Sequence, residues 1–541
     1  MKKANMTKTA AAALAAAMML TACGSSSTTT TTVAKDSTEA SVTEAVTEAT
    51  TAEAAEATIT DTDIIVAMAA DVVSMDPPNQ NDTTSSVFLN HVFSRLMVVN
   101  NEGELVPDLA TSYEIENDGL EYVFHLDENA CFSDGTPVTA EDVKFSYERA
   151  KNTAKTQSDA QSVEEVIVED EHTVRIKLSY VYAPFIYKTA DTGLSIVCKE
   201  HIEAIEAAGG NCGDYENILG SGAYTVTEYV PNDHYVLKRN ENYWKELPIA
   251  TSIEVRVIPE ASSRAIALEA GEVDIVWSVD AIDCVNIEAN PDVTLMSQPS
   301  SSVEFFGMNT NNEALSDVRV RQAINMAVNQ QELIDVILEG RGTPANSYIN
   351  AMIPGWTDEV TAYEYDLEAA KELMAEAGYA DGFDVSIVVN GDTRTRTATI
   401  LQAQLAEIGI NVDVNTYEWG AMLDLLSSGG ADMYVLGWSN SSFDPDTSVY
   451  SLFHSANTGA GGNYAYLVDE ELDNLIISAQ TELDQEKRMD LYKDIQFKLK
   501  ELSPWVPLYY KNENVGVRAD LKGYELHKGS SHWLGNAHYE E

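Results

Sequence analysis

The sequence predicts an α/β protein of two or three domains, and three observations carry the prediction. The chain is 541 residues long, whereas single hydrophobic cores stop growing at about 250–300 residues. Strand-like alternation and helical periodicity both occur in it. In the second half they alternate strictly, strand then helix then strand, which is the pattern of a sheet with parallel neighbours joined by right-handed crossovers.

The first residues address the compartment. Lys2, Lys3 and Lys8 precede an Ala/Leu/Met-rich run too short to span a bilayer, so residues 1–22 read as a secretory signal peptide. The run ends in Leu20-Thr21-Ala22-Cys23, then Gly24, which resembles a bacterial lipobox. Cys23 is accordingly expected to be the lipidated first residue of the mature chain. Residues 23–60 are Ser/Thr/Ala/Glu-rich and almost free of aromatics, a composition that cannot bury enough surface to offset ordering. They read as a disordered tether that holds a folded body off the membrane.

Early strands are expected at "TDIIVAMA", "LEYVFHL" and "HTVRIKLS", each bounded by turn-forming residues. After "SDGTPV", Thr139 and Asp142 stand at capping-box spacing before a helical stripe of Val143, Tyr147 and Ala150. In the second half, Asp366 caps a helix whose stripe is Leu367, Ala370, Met374 and Ala377, and Gly378 ends it. A strand through Val385, Ile387 and Val389 follows, then the turn Asn390–Arg396. Next come a helix striped by Ala398, Leu401, Leu405 and Ile408, a strand through Ile410, Val412 and Val414, a short helix after Trp419, and a strand ending at Gly437. Sheets of this kind bind ligands beyond the carboxyl ends of their strands. Trp438 stands at such an end, and so does the turn carrying Arg394 and Arg396. The indole either lines a cleft or is packed under a loop.

Charge and motif content narrow the chemistry. The formal net charge is −54, so nucleic acid and anionic lipid surfaces are repelled. Nine histidines show no HExxH spacing, and the four cysteines after Cys23 show no CxxC, so no metal or cofactor is expected. Cys198 and Cys212 are either a local disulfide or free thiols. No GxSxG is present, and a secreted hydrolase remains only as a minor alternative. Arg319 and Arg321 read as structural pairing residues at a helix start.

From about Ile64 to Tyr524, a series of phrases in fixed order resembles the extracellular solute-binding proteins of the peptide/nickel ABC importers, family 5. The phrases include "SMDPPN", "FSDGTPVTAEDVKFSYERA", "LGSGAYTVTEY", "ALEAGEVDI", "DVRVRQAINMAVN", "QLAEIGINVDVNTYEW" and "VPLYY". The resemblance implies a non-catalytic, periplasmic-binding-protein-like two-lobed clamp with a hinge, of the type II, three-domain peptide-binding subclass. Lobe I would comprise residues 61–92, 215–308 and 505–541, with an accessory domain at 93–214, and lobe II residues 309–504. Such a receptor would sit lipid-anchored on the extracytoplasmic face of the cell membrane. As a monomer it would capture oligopeptides and pass them to ABC permease subunits. The alternatives within the same fold are a binder of a non-peptide solute and a peptide-sensing receptor.

The resemblance also implies a site. Trp419 and Trp438 fall where oligopeptide-binding relatives place the aromatic walls of side-chain pockets. Those relatives carry an aspartate for the ligand ammonium three residues after the second Trp, and here that position is Ser441. Asp444 is the nearest acid, either binding an amine or starting the Asp-Pro turn. The carboxylate-anchoring arginine of dipeptide binders has no equivalent at Val388, and Arg394 and Arg396 are the nearby substitutes.

Overall fold

Two long antiparallel strands, Val293–Met308 and Trp505–Arg518, organise the computed structural model. The structure describes residues 62–540 other than 81, 158, 530 and 531. The signal peptide, Cys23 and the tether therefore lie outside the described residues.

The two strands sit mid-way in an 11-stranded sheet. On one side, Ile275–Val276 pairs with Trp505–Arg518 and leads to Thr62–Met68, Ala250–Val257, His234–Arg239 and Tyr224–Val230. On the other, Val293–Met308 pairs with Met433–Ser439, which leads to Phe383–Val389 and Ile410–Thr416. The last three strands are mutually parallel, and the helices Gly391–Ala406 and Trp419–Ser427 cross between them. The strand-helix alternation read from the sequence is thus the observed order.

Cores follow from side-chain alternation. Along Met433–Ser439, Tyr434 and Leu436 enter one cluster with Met422, Tyr492 and Trp505. Met433 and Val435, on the opposite face, enter another with Leu401, Leu405 and Ile410. This is the period-2 geometry of a strand buried on both sides. A third cluster joins Ile64, Phe88, Tyr235 and Val255 to Val515 and Val517, so each long strand contributes to cores at both of its ends. A four-stranded antiparallel sheet (Ala110–Glu116, Glu121–Leu126, Thr173–Leu178, Val163–Asp170) supports a further core around Phe124, Tyr147 and Phe185.

The local expectations fare unevenly. Thr139 and Asp142 form the reciprocal capping box of Ala140–Lys151, and the Asp366 carboxylate accepts from Glu368 and Ala369 N–H at the start of Leu367–Glu376. Cys198 and Cys212 are free thiols. Arg319 pairs with Asp317, and Arg321 donates to the Leu315, Ser316, Leu502 and Ser503 carbonyls. The expected turn Asn390–Arg396 is instead a helix start. Gly391 takes φ +71° and turns the chain, after which Asp392 occupies the first helical turn, where its charge complements the helix dipole.

Candidate functional site

A cavity near the sheet ends measures about 800 Å³, within the range that encloses a drug-sized solute. One wall is the segment leaving the Met433–Ser439 strand: Trp438, Ser439, Ser441 and Ser442, with Ser301 from the adjacent long strand. The opposite wall is built from the helix Thr83–Val92, the segment 93–108, residues 190–192, Tyr243, Lys245 and the C-terminal segment through His527 and Trp533.

Strand pairing sets the position of Trp438. It lies opposite Val303, and the Ser302 and Ser439 hydroxyls meet at 2.6 Å beside it. The indole Nε1 is buried without a hydrogen-bond partner. The next turn is held by Asn440, whose amide donates to the Asp444 carbonyl and the Ser448 hydroxyl, each at 2.8 Å. Phe443, at φ +55°, then reaches the opposite wall. A Cβ at Gly103 or at Gly529 would stand 2.9 Å from its ring, so both glycines are needed for this contact.

The opposite wall carries most of the charge. Five carboxylates (Asp82, Glu102, Asp108, Asp191, Glu525) and two fixed cations (Arg95, Lys245) line the cavity. Asp108 is committed: one oxygen takes Lys245 at 2.5 Å and the other the Arg95 backbone N–H at 2.7 Å. Asp82 caps its helix through Oδ1 at 2.8 Å, and its Oδ2 is buried and unpartnered. Asp191 accepts from Gly193 N–H, and burial, then the charge of Asp159, push its pKa up. Burial lowers the His527 pKa, and the neutral ring bridges the Val99 carbonyl and the Gly529 N–H. Arg95 is only 9 % exposed, and its Nε has no partner.

Of the residues expected from sequence, Trp438 and Ser441 line this cavity. Asp444 does not. It is 1 % exposed and held by Arg488 through two hydrogen bonds of 2.7 Å, while its Oδ1 also accepts from Asp446 N–H. Both carboxylate oxygens are therefore spent inside the protein, and amine binding gives way to the turn-starting role. Arg394 and Arg396 line a separate cavity of about 380 Å³ with Glu304 and Tyr509. Arg394 pairs with Glu304 at 2.7 Å, and Arg396 donates to the Val336 carbonyl. Both point away from the larger cavity because Ser301 and Glu304, three positions apart on one strand, face opposite sides of it. Trp419 is 49 % exposed and lines neither cavity.

Sequence reasoning missed Arg95, Asp82, Lys245, His527 and Trp533. Arg95 had a signal: it is the single charge in the run Val92–Val99, and a charged residue inside an apolar stretch is buried with a purpose or a partner.

Residues 104–460 match the bacterial extracellular solute-binding proteins, family 5 Middle. The chain is similar to the dipeptide-binding protein of Escherichia coli, 29 % identical over 464 residues that cover 81 % of this chain and 86 % of that one. It is also similar to heme-binding protein A of Haemophilus influenzae, 30 % identical over 450 residues, covering 78 % and 82 %. Its structure is similar to that of an ABC transporter-associated periplasmic binding protein of Helicobacter pylori in complex with the peptide STSA, with a TM-score of 0.79, 28 % identity, and coverage of 89 % of this chain and 99 % of that one. A sheet shared by two groups of cores, with an 800 Å³ cavity walled by residues from both, is the two-lobed α/β architecture of these relatives, and this chain belongs to the bacterial extracellular solute-binding proteins of family 5.

Proposed function

We propose that the protein captures peptides outside the cytoplasm in the 800 Å³ cavity and delivers them intact to an ABC permease, working as a monomer anchored to the cell membrane through a lipid on Cys23. In this reading residues 61–92, 215–308 and 505–541 form lobe I, 93–214 its accessory domain and 309–504 lobe II. The long strands are the hinge, and ligand binding shifts the open and closed populations. Trp438 and Ser441 contact the solute; Trp419 is held back as a contact made in another lobe orientation.

The observation that carries the reading is the lining of the cavity: hydroxyls and amides, aromatic faces, and unpartnered buried donors and acceptors on opposing walls. A peptide supplies both kinds of group along its main chain, and aromatic walls accept varied side chains. A second reading, a non-peptide solute, is favoured by Ser441, which leaves an uncharged position where an ammonium would need a counter-ion. The test is incubation of the full-length protein with mixed peptides of two to ten residues, followed by mass spectrometry of bound and free pools. Unaltered retained peptide is expected. Cleavage products would replace the binder by a hydrolase, and an occupant of the purified protein that is not a peptide would establish the second reading.

A further inference from the structure

We propose that Arg95 is the anion anchor of this cavity and that the solute therefore carries a carboxylate, which docks on its guanidinium. The inference rests on the cavity being the solute site. Arg95 follows the helix Thr83–Val92 into the cavity wall, nine-tenths buried. Its Nε has no partner, and among the described residues no hydrogen bond or ion pair of its guanidinium is found. An arginine so buried is ordinarily paired, because an isolated charge out of water is costly and the group cannot lose its proton.

The charges of Asp108 and Asp191 favour the guanidinium from a distance, but neither carboxylate makes a hydrogen bond or ion pair with it. Asp108 is occupied by Lys245 and by a backbone N–H, and Asp191 is turned to Gly193 N–H. They do select the anion. A guanidinium flanked by two carboxylates accepts one more negative charge far better than the nearly doubly charged phosphate group. The planar fork of arginine also matches a carboxylate through two parallel hydrogen bonds. The cavity thus has a charged donor for one end of a zwitterion and, in Asp82 Oδ2 at the far end of the helix, a free acceptor for the other.

The experiment uses three pools of peptides of three to six residues: free acids without acidic side chains, the same peptides as C-terminal amides, and amides containing one glutamate. Retention on the full-length protein is read by mass spectrometry for wild type, Arg95→Gln and Arg95→Lys. Wild type is expected to retain free acids at least tenfold over neutral amides, Arg95→Gln to lose that preference, and Arg95→Lys to keep part of it. Retention of the glutamate amides would assign the carboxylate to a side chain, and their loss would assign it to the C-terminus. Equal retention of acids and neutral amides by wild type, or a preference that survives in Arg95→Gln, overturns the anchor while leaving peptide capture intact. If wild type retains no peptide, peptide capture fails, and the anchor is decided by melting of the solute-stripped proteins. Arg95→Gln melting at or above wild type supports a residue kept for a ligand, and a lowered melting temperature makes Arg95 structural and overturns the proposal.

Discussion

Replacing Asp444 separates a ligand contact from an internal tie. The Asp444 and Arg488 side chains are 2 % and 1 % exposed, and the guanidinium is further held by the Ala479 carbonyl and the Tyr492 hydroxyl. Asp444→Ala leaves a buried guanidinium uncompensated, which costs about 3–5 kcal/mol, and removes the cap of Pro445–Ser448, worth about 1 kcal/mol. Taking Arg488→Met as well removes the orphaned charge, so the double variant is expected to be more stable than Asp444→Ala alone by roughly 2 kcal/mol or more. Equilibrium urea unfolding of wild type, both single variants and the double variant measures this, and calorimetric titration with a retained peptide reads affinity in the folded proteins. Affinity should stay within about threefold, since Asp444 lines no wall of the cavity. Wild-type stability of Asp444→Ala combined with a loss of affinity beyond tenfold would refute the reasoning and make Asp444 an amine-binding carboxylate after all.

Trp438→Ala should fold and lose roughly 1–3 kcal/mol of solute binding, the scale of a buried aromatic at an interface; unchanged affinity in the same titration would remove Trp438 from the site. Arg394→Ala strands the nearly buried Glu304 carboxylate and is expected to lower stability by about 1–3 kcal/mol with no change in affinity, which a drop in affinity would contradict. His91 gives a pH dependence. Burial lowers its pKa from 6.5 to about 4, and the neutral ring donates to the Val87 carbonyl and accepts from Leu534 N–H. The unfolded chain takes up a proton below pH 6.5 that the folded one refuses, so this contribution is full above pH 6.5 and falls by about 3 kcal/mol as the pH drops to about 4. Asp446, pushed up to about 6 by burial and then by the charge of Asp444, acts in the opposite sense over the same window. The measurement is therefore the difference in unfolding free energy between wild type and His91→Gln at pH 7 and 4.5, and a difference independent of pH would refute the assignment.

What the sequence disclosed and what it hid divide by range along the chain. The alternation of Phe383–Val389 through Met433–Ser439 was legible because each element buries a face with its own period. The caps at Thr139 and Asp366 were legible because a cap and the N–H it satisfies lie within three residues. Ion-pair partners were not. Asp444 meets Arg488 across 44 positions and Glu304 meets Arg394 across 90, and nothing local marks either pairing. Arg394 and Asp444, near the strand ends, were therefore carried as ligand candidates beside their structural readings, when their charges are paired inside the protein. The segment Asn390–Arg396 misled for a different reason: Asn-Gly is strong turn chemistry, yet a single positive φ at Gly391 also serves to enter a helix. The wall bearing Arg95 comes from segments far apart in the chain, and only the lone charge in an apolar run pointed to it.

The segment 438–446 joins recognition to the contact between the two groups of cores. Within nine positions it offers Trp438, Ser441 and Ser442 to the cavity and seats Phe443 against Gly103 and Gly529. It then buries Asp444 on Arg488 and presents Asp446 to the Tyr182 hydroxyl at 2.9 Å. Tyr182 packs in the core of the 110–178 sheet, whereas Asp446 also accepts from Gln480 of the helix Glu470–Thr481. A segment tied at four points cannot reshape itself around different solutes without breaking the contacts of Phe443, Asp444 and Asp446. Under the proposed function, tolerance comes from the hydroxyls and the indole face, which impose little geometry, and discrimination from the charged wall opposite, where Arg95 and Asp82 hold buried groups still without partners. Because a solute can favour closure only to the extent that it binds the closed form better than the open one, the groups that gain a partner on closure set which solutes are retained.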